Sequence, residues 1–309
     1  MIAIFLKTLP FFAIIGLGYI AGRTRFFSAE ATAYLTKFVF FFALSAMIFR
    51  FAANLPLAEV WDGRLIAAYL WGTAFVYVIA TAVAFVRKLD IATAAIEAQC
   101  AVIGNIGFLG IPMLTLLLGE AAIGPIMMML AVDLIVFSSL IVILITGSRD
   151  GKMSFSILKI VGLGLVKNPM IVAMSLGLFW SGFSIPIPTP MNDFLAILGG
   201  AATPGALFAI GASLASKSAE RIEVAGWLTF CKLALHPAFV AFAAIYLFSV
   251  DSYSAGVMIS AAALPVAGNV YMLAQHYGVA PQRVSAAILV STAISIVTVS
   301  VVIAWVTGA

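Results

Sequence analysis

Apolar runs bounded by charges or turn residues follow one another along the whole chain, and they predict ten helices. The predicted helices lie at about 2–22, 33–53, 65–86, 92–118, 121–147, 168–184, 193–215, 224–249, 253–277 and 284–307. Most reach the roughly 20 residues needed to cross a hydrocarbon core, and the polar breaks between them are short. The segment from Met153 to Val166 differs. It is amphipathic, with Lys159 and Lys167 near its polar side, and is read as lying at the membrane interface or extending the sixth helix.

Charge placement tests this count. Of the 16 Lys and Arg residues, eleven fall after predicted helices 1, 3, 5, 7 and 9. They are Arg23, Arg25, Arg87, Lys88, Arg149, Lys152, Lys159, Lys167, Lys217, Arg221 and Arg283. The other side holds only Lys7, Arg50 and Arg64, while Lys37 opens a helix and Lys232 lies inside one. Basic loops stay in the cytoplasm, so this bias predicts a multi-pass protein of the inner (plasma) membrane with both termini on the non-cytoplasmic side. The stretch from Ile2 to Gly22 lacks an A-x-A-like cleavage site and is read as a permanent first helix.

The chain also echoes itself. Val102-Ile103-Gly104-Asn105-Ile106-Gly107-Phe108-Leu109 matches Val266-Ala267-Gly268-Asn269-Val270-Tyr271-Met272-Leu273 at the Val, Gly, Asn and last Leu. A weaker echo pairs 43–49 with 202–208, at a similar offset of about 160 residues. Five helices per repeat is odd, so the second half would enter the membrane in the opposite orientation. The expected fold class is therefore an all-α membrane protein of ten transmembrane helices in two inverted five-helix repeats. The first repeat spans 1–147, a cytoplasmic or interfacial linker spans 148–166, and the second repeat spans 167–309.

Composition agrees with lipid as the solvent: 64% of residues are hydrophobic and only 9% charged, with a mean hydropathy of +1.19. A soluble domain carries about a quarter of its residues as charges. The net charge of +4 is scattered singly between apolar runs, so it signals topology and not a nucleic-acid partner. Cys100 and Cys231 fall inside predicted helices without metal or disulfide spacing, and no metal or cofactor is expected.

Two places break the helical pattern. The fourth predicted helix contains Gly104, Gly107, Gly110 and Pro112 around Asn105, and the ninth contains Pro265, Gly268 and Asn269. Proline removes a donor and clashes with the preceding turn. Backbone groups freed at membrane depth are tolerated only against protein or a wet cavity, and paired breaks in two halves point to a substrate site. Asn105 and Asn269 add amide donors and acceptors, and half-helix N-termini add free N–H groups at a positive dipole end. That set suits a carboxylate. The plainer reading of the breaks is that they permit kinks and close packing.

Four ionisable residues lie within predicted helices: Glu97, Asp133, Lys232 and His236. Charges are costly there, which makes them functional candidates for coupling, with Asp133, nearest the middle of its helix, a proton carrier or an ion ligand. Lys232 and His236 stand one turn apart on one face, and either could pair with Asp133 or Glu97. The plainer readings are a structural ion pair for Asp133 and Lys232, snorkelling for Glu97, and for His236 a bond to a carbonyl freed by Pro237.

These residues resemble the auxin efflux carrier family of bacterial and plant transporters. The likeness rests on the Gly104 to Pro112 break, Lys167-Asn168-Pro169, Thr203-Pro204-Gly205-Ala206-Leu207-Phe208-Ala209-Ile210-Gly211, and Pro265 with Leu273-Ala274-Gln275-His276-Tyr277-Gly278, and it spans essentially the whole chain. The resemblance implies a scaffold of helices 1, 2, 6 and 7, a mobile transport part of helices 3–5 and 8–10, helices 4 and 9 crossing at their prolines, and a homodimer. It also implies that Pro112, Pro265, Asn105 and Asn269 border the substrate, an organic anion such as auxin in plants or malate or malonate in bacteria. Two features depart from the family pattern: Ser45 stands where many relatives have proline, and the loop after the fifth helix is short, as in bacterial members.

The expected function is a secondary transporter that exports or exchanges a small organic anion by elevator-type alternating access, with Gly104, Asn105, Pro112, Pro265, Gly268 and Asn269 at the substrate. An alternative is a sodium- or proton-coupled symporter of bile-acid-carrier-like topology, with Asp133 or Glu97 holding the ion. A passive channel is a third reading, since broken helices also line pores. An enzyme is not expected: the chain has no H-E-x-x-H, no G-x-S-x-G and only two His residues.

Overall fold

The computed structural model describes residues 2–55, 61–150, 155–215 and 222–308, and their regular structure is helical. In chain order the helices are α1 (Ile2–Arg23), α2 (Ala29–Asn54), α3 (Gly63–Val86), α4 (Ile91–Val102), α5 (Ile106–Leu118), α6 (Glu120–Arg149), α7 (Phe155–Lys167), α8 (Pro169–Gly182), α9 (Thr189–Leu214), α10 (Ile222–Leu247), α11 (Ser252–Ala262), α12 (Gly268–Tyr277) and α13 (Pro281–Thr307). Seven of them, α1, α2, α3, α6, α9, α10 and α13, are long and apolar enough to cross a membrane. α7 and α8 form an eighth candidate, bent by 68° at Asn168. The residue before a proline is pushed out of helical geometry, and Asn168 precedes Pro169.

The chain begins its helices where short polar side chains can take up free N–H groups. Ser28 accepts from the Ala31 N–H at 3.0 Å, and Asp62 accepts from the Arg64 N–H at 2.8 Å. Asp90 accepts from the Thr93 N–H at 3.0 Å, Asn168 from that of Met170 at 3.0 Å, and Asp251 from that of Ser254 at 2.9 Å. Ser28 explains why α2 starts at Ala29, a turn ahead of the apolar run from which its start was predicted.

Two groups of helices pack side by side. One consists of α1, α2, α8 and α9, and the other of α3, α4, α6, α10, α11 and α13, with α1 touching α13 and α5 touching α9 where they meet. α1 and α9 approach so closely that a Cβ on Gly18 would overlap the Phe208 carbonyl, and one on Gly211 the Ile15 carbonyl. Small residues are what permit such crossings inside lipid. Large apolar side chains such as Val86, Phe179 and Ile197 project outward, as a lipid-facing surface requires. Of the seven long helices α10 is the most enclosed, with 61% of its apolar window buried against 28% for α1, and it carries Lys232 and His236.

Candidate functional site

The breaks after α4 and after α11 lie against each other. Gly104 and Val266 form an isolated antiparallel bridge, in which the Asn105 N–H donates to the Pro265 carbonyl at 2.9 Å and the Ala267 N–H to the Ile103 carbonyl at 3.1 Å. Each interruption thus satisfies backbone groups that the other leaves free, the condition for non-helical chain within a membrane. The Val266 N–H is taken by Ser291 Oγ of α13 at 3.1 Å. Pro265 has no N–H to satisfy and uses only its carbonyl. Pro112, which the sequence placed at the break, lies beyond it. The chain rewinds from Ile106 through a wider, π-type turn to Gly110, and Pro112 falls early in the ordinary helix that follows. A wide turn can absorb a missing N–H without breaking the helix.

Beside this crossing opens a cavity of about 900 Å³, within the range of small-molecule sites. Its floor is Asn105, Pro265, Val266 and Gly268, and its walls come from α1, α2, α9, α12 and α13, including Thr32, Thr36, Tyr271, Gln275 and Thr292. Its mouth carries Arg23, Arg25 and Lys37, and no Asp or Glu lines it among the described residues. Asn105, which immediately precedes α5, and Gly268, which opens α12, stand at the floor, so two half-helix N-termini bring partial positive charge near the same place. Of the six predicted substrate residues, Asn105, Pro265 and Gly268 line this space, while Gly104, Pro112 and Asn269 do not. Asn105 is 5% exposed, and the Asn269 Oδ1 is buried without a hydrogen-bond partner among the described residues.

The four ionisable residues form two separate groups. Asp133, 3% exposed, accepts a hydrogen bond from the Tyr69 hydroxyl at 2.9 Å, and its second oxygen has no partner among the described residues. Lys232 and His236, both fully buried, contact each other through Nζ and Nδ1 at 3.1 Å. An ammonium only donates, so Nδ1 accepts and Nε2–H donates to Thr73 Oγ1 at 3.0 Å. Lys232 also donates to the Ala262 carbonyl. Asp133 and Lys232 make no direct ion pair among the described residues. Glu97 stands apart from them. It is 1% exposed and bridges Arg87 Nη1 at 2.7 Å and Arg283 Nη1, which is a buried ion pair and not a snorkelling carboxylate.

Sequence reasoning missed Tyr69 and Thr73, which look like ordinary residues of an apolar helix. The available signal was their spacing: one turn apart on α3, they precede Lys232 and His236 by about the 160-residue offset of the repeat. Arg23, Arg25 and Lys37 were read only for topology.

A multi-pass helical membrane protein, with two interrupted helices joined at the floor of a deep cavity, has the build of a solute transporter. The chain belongs to the auxin efflux carrier family, whose model, described as membrane transport protein, matches residues 3–303. It is 30% identical over 298 residues to a Rhizobium meliloti (strain 1021) protein named "Putative malonate transporter", across 94% of this chain and 92% of that one. The protein is thus a transporter and not an enzyme.

Proposed function

We propose that the protein carries a small organic anion, malonate or another short carboxylate, through the cavity beside the α4/α5 and α11/α12 crossing. The observation that carries this reading is the cavity's charge: three cations at the mouth, two half-helix N-termini and Asn105 at the floor, and no acidic side chain along it among the described residues. Such a space favours an anion at entry and at rest. The name of the Rhizobium meliloti relative supports the choice of cargo.

Counting each interrupted pair, and the bent α7/α8 pair, as one crossing gives ten, and the echo of Gly104-Asn105 in Gly268-Asn269 supports two inverted repeats. In this reading α1, α2, α8 and α9 are a scaffold through which two copies pair. The second group, with α5 and α12, slides against it and carries the crossing. The cavity opens beside the basic loops, the cytoplasmic side by charge bias, which supports an inward-open state with both termini outside. Asp133, with its unpartnered oxygen, favours a proton-coupled version of the same cycle.

Reconstitution tests both. Proteoliposomes are expected to show saturable flux of malonate or malate. Asn105→Ala should lower it roughly ten- to hundredfold, the value of one hydrogen bond to a charged group, and Asp133→Asn should abolish any dependence on a pH gradient. Absence of flux with malonate, malate and indole acetate alike, or an Asn105→Ala protein as fast as wild type, would overturn the carrier reading.

A further inference from the structure

The proposed anion route leaves Lys232 unused, although it is among the largest fully buried side chains of the protein and lines no part of the cavity. Its surroundings are specific. Nζ donates to the carbonyl of Ala262, the last residue of α11. The final carbonyls of a helix lack intrahelical partners and together carry about half a negative charge. Here the Ile259 carbonyl is taken by the Ala263 N–H at 3.0 Å and that of Ala261 by the Leu264 N–H at 3.2 Å, while Ala262 is left to Nζ. Across the crossing stands Gly104, where a Cβ would lie 3.2 Å from Nζ. The position is therefore closed by Lys232 on one side and by a residue without a side chain on the other. His236 accepts from Nζ and is held at its other nitrogen by the Thr73 hydroxyl, and the Asp133 carboxylate acts on Lys232 electrostatically without a direct contact among the described residues.

In carriers with broken helices, carbonyls at half-helix C-termini are where a coupling cation is bound. We propose that Lys232 is a tethered cation occupying that position, so that the crossing is held together by the chain's own ammonium and needs no free sodium ion. Lys232 is a positioning residue: it fixes the end of α11 against Gly104, and through the bridge it fixes Asn105 and Pro265 at the cavity floor. Truncating it leaves a vacant monovalent-cation site sized for an ammonium. The transport consequence rests on the carrier reading above, whereas the cation site itself does not.

The test compares wild type, Lys232→Ala and Lys232→Met as purified full-length proteins, first by thermal unfolding in detergent and then by malonate flux in proteoliposomes. Wild type is expected to unfold at the same temperature in sodium chloride and in choline chloride. Lys232→Ala should unfold earlier, and methylammonium should restore most of the loss saturably, whereas tetramethylammonium, too large for the site, should not. Wild-type stability that depends on sodium, no recovery with methylammonium, or equal recovery with both amines would overturn the proposal. Lys232→Met keeps the stem without the charge and covers the case in which the alanine variant does not fold. It should lose at least tenfold in flux at unchanged folded yield, and wild-type flux from it would count against the tethered cation. If wild type moves no malonate, the carrier reading fails while the unfolding data still decide on the cation site.

Discussion

Glu97 lies where the end of α3, the middle of α4 and the start of α13 meet, and its two guanidinium partners differ in exposure. Arg283 is 15% exposed and Arg87 31%, so Arg87 can turn to solvent if its partner is lost and Arg283 far less readily. Removing one member of a buried pair is destabilising because it strands the other charge, and the penalty shrinks as the stranded group reaches water. Glu97→Gln is therefore expected to cost about 3 kcal/mol, the low end for a broken buried pair because Arg87 reaches solvent, with Arg283→Ala costing more than Arg87→Ala. Chemical denaturation in mixed micelles measures all three, and equal losses for the two arginine variants would refute the ranking. At this scale the ionisable residues themselves were legible, because so few charges occur in the apolar runs. Their partners were not. Tyr69 reaches Asp133 from another helix, and Thr73 reaches His236 likewise. Such contacts depend on how the helices rotate about their axes, which the spacing within one helix does not set. Only the Lys232 to His236 contact, one turn apart, could be read directly.

Between elements, glycines decide how closely helices approach. Gly18 on α1 and Gly211 on α9 each face a backbone carbonyl of the other helix, and a carbonyl cannot swing aside as a side-chain tip can. Gly18→Ala and Gly211→Ala should each force the two helices apart and cost about 1–3 kcal/mol or more, the usual penalty of overpacking. Gly16→Ala, on the same α1 with nothing near its Cβ position, is the control and should be close to neutral. The readout is folded yield and unfolding temperature in detergent; because Ala has the better helix propensity, any loss must come from contacts, and a Gly16 variant as damaged as the other two would show that the close α1/α9 approach is not the cause. The interruptions themselves were plain from Gly104-Asn105 and Pro265, yet their placement shifted. Three glycines and Pro112 together suggested a break reaching Pro112, whereas the chain leaves helical geometry at Ile103 and is winding again by Ile106. The antiparallel bridge explains the difference: it supplies partners for the residues around Gly104, while Pro112 needs none once the preceding turn has widened. Ser45 shows a related adjustment, its hydroxyl donating to the Phe40 carbonyl at 3.2 Å where α2 widens.

For the whole molecule, the cavity defines a side. Its floor is the crossing and its mouth is ringed by Arg23, Arg25 and Lys37, so in the proposed orientation it is wet from the cytoplasm and closed from outside. Ala209, on the cavity wall, and Trp61, 78% exposed between α2 and α3, should then report opposite faces of the bilayer. Native Cys100 and Cys231 are fully buried and leave a quiet background for a membrane-impermeant maleimide. Ala209→Cys is expected to label in inside-out vesicles and Trp61→Cys in right-side-out ones, with malonate slowing the first several-fold and leaving the second unchanged. The protection follows from occupancy: an anion held at Asn105 and the start of α12 fills the space the reagent needs. Labelling of Ala209→Cys only from the Trp61 side would invert the topology drawn from the basic loops, and labelling indifferent to malonate and malate would separate the cavity from the transport route.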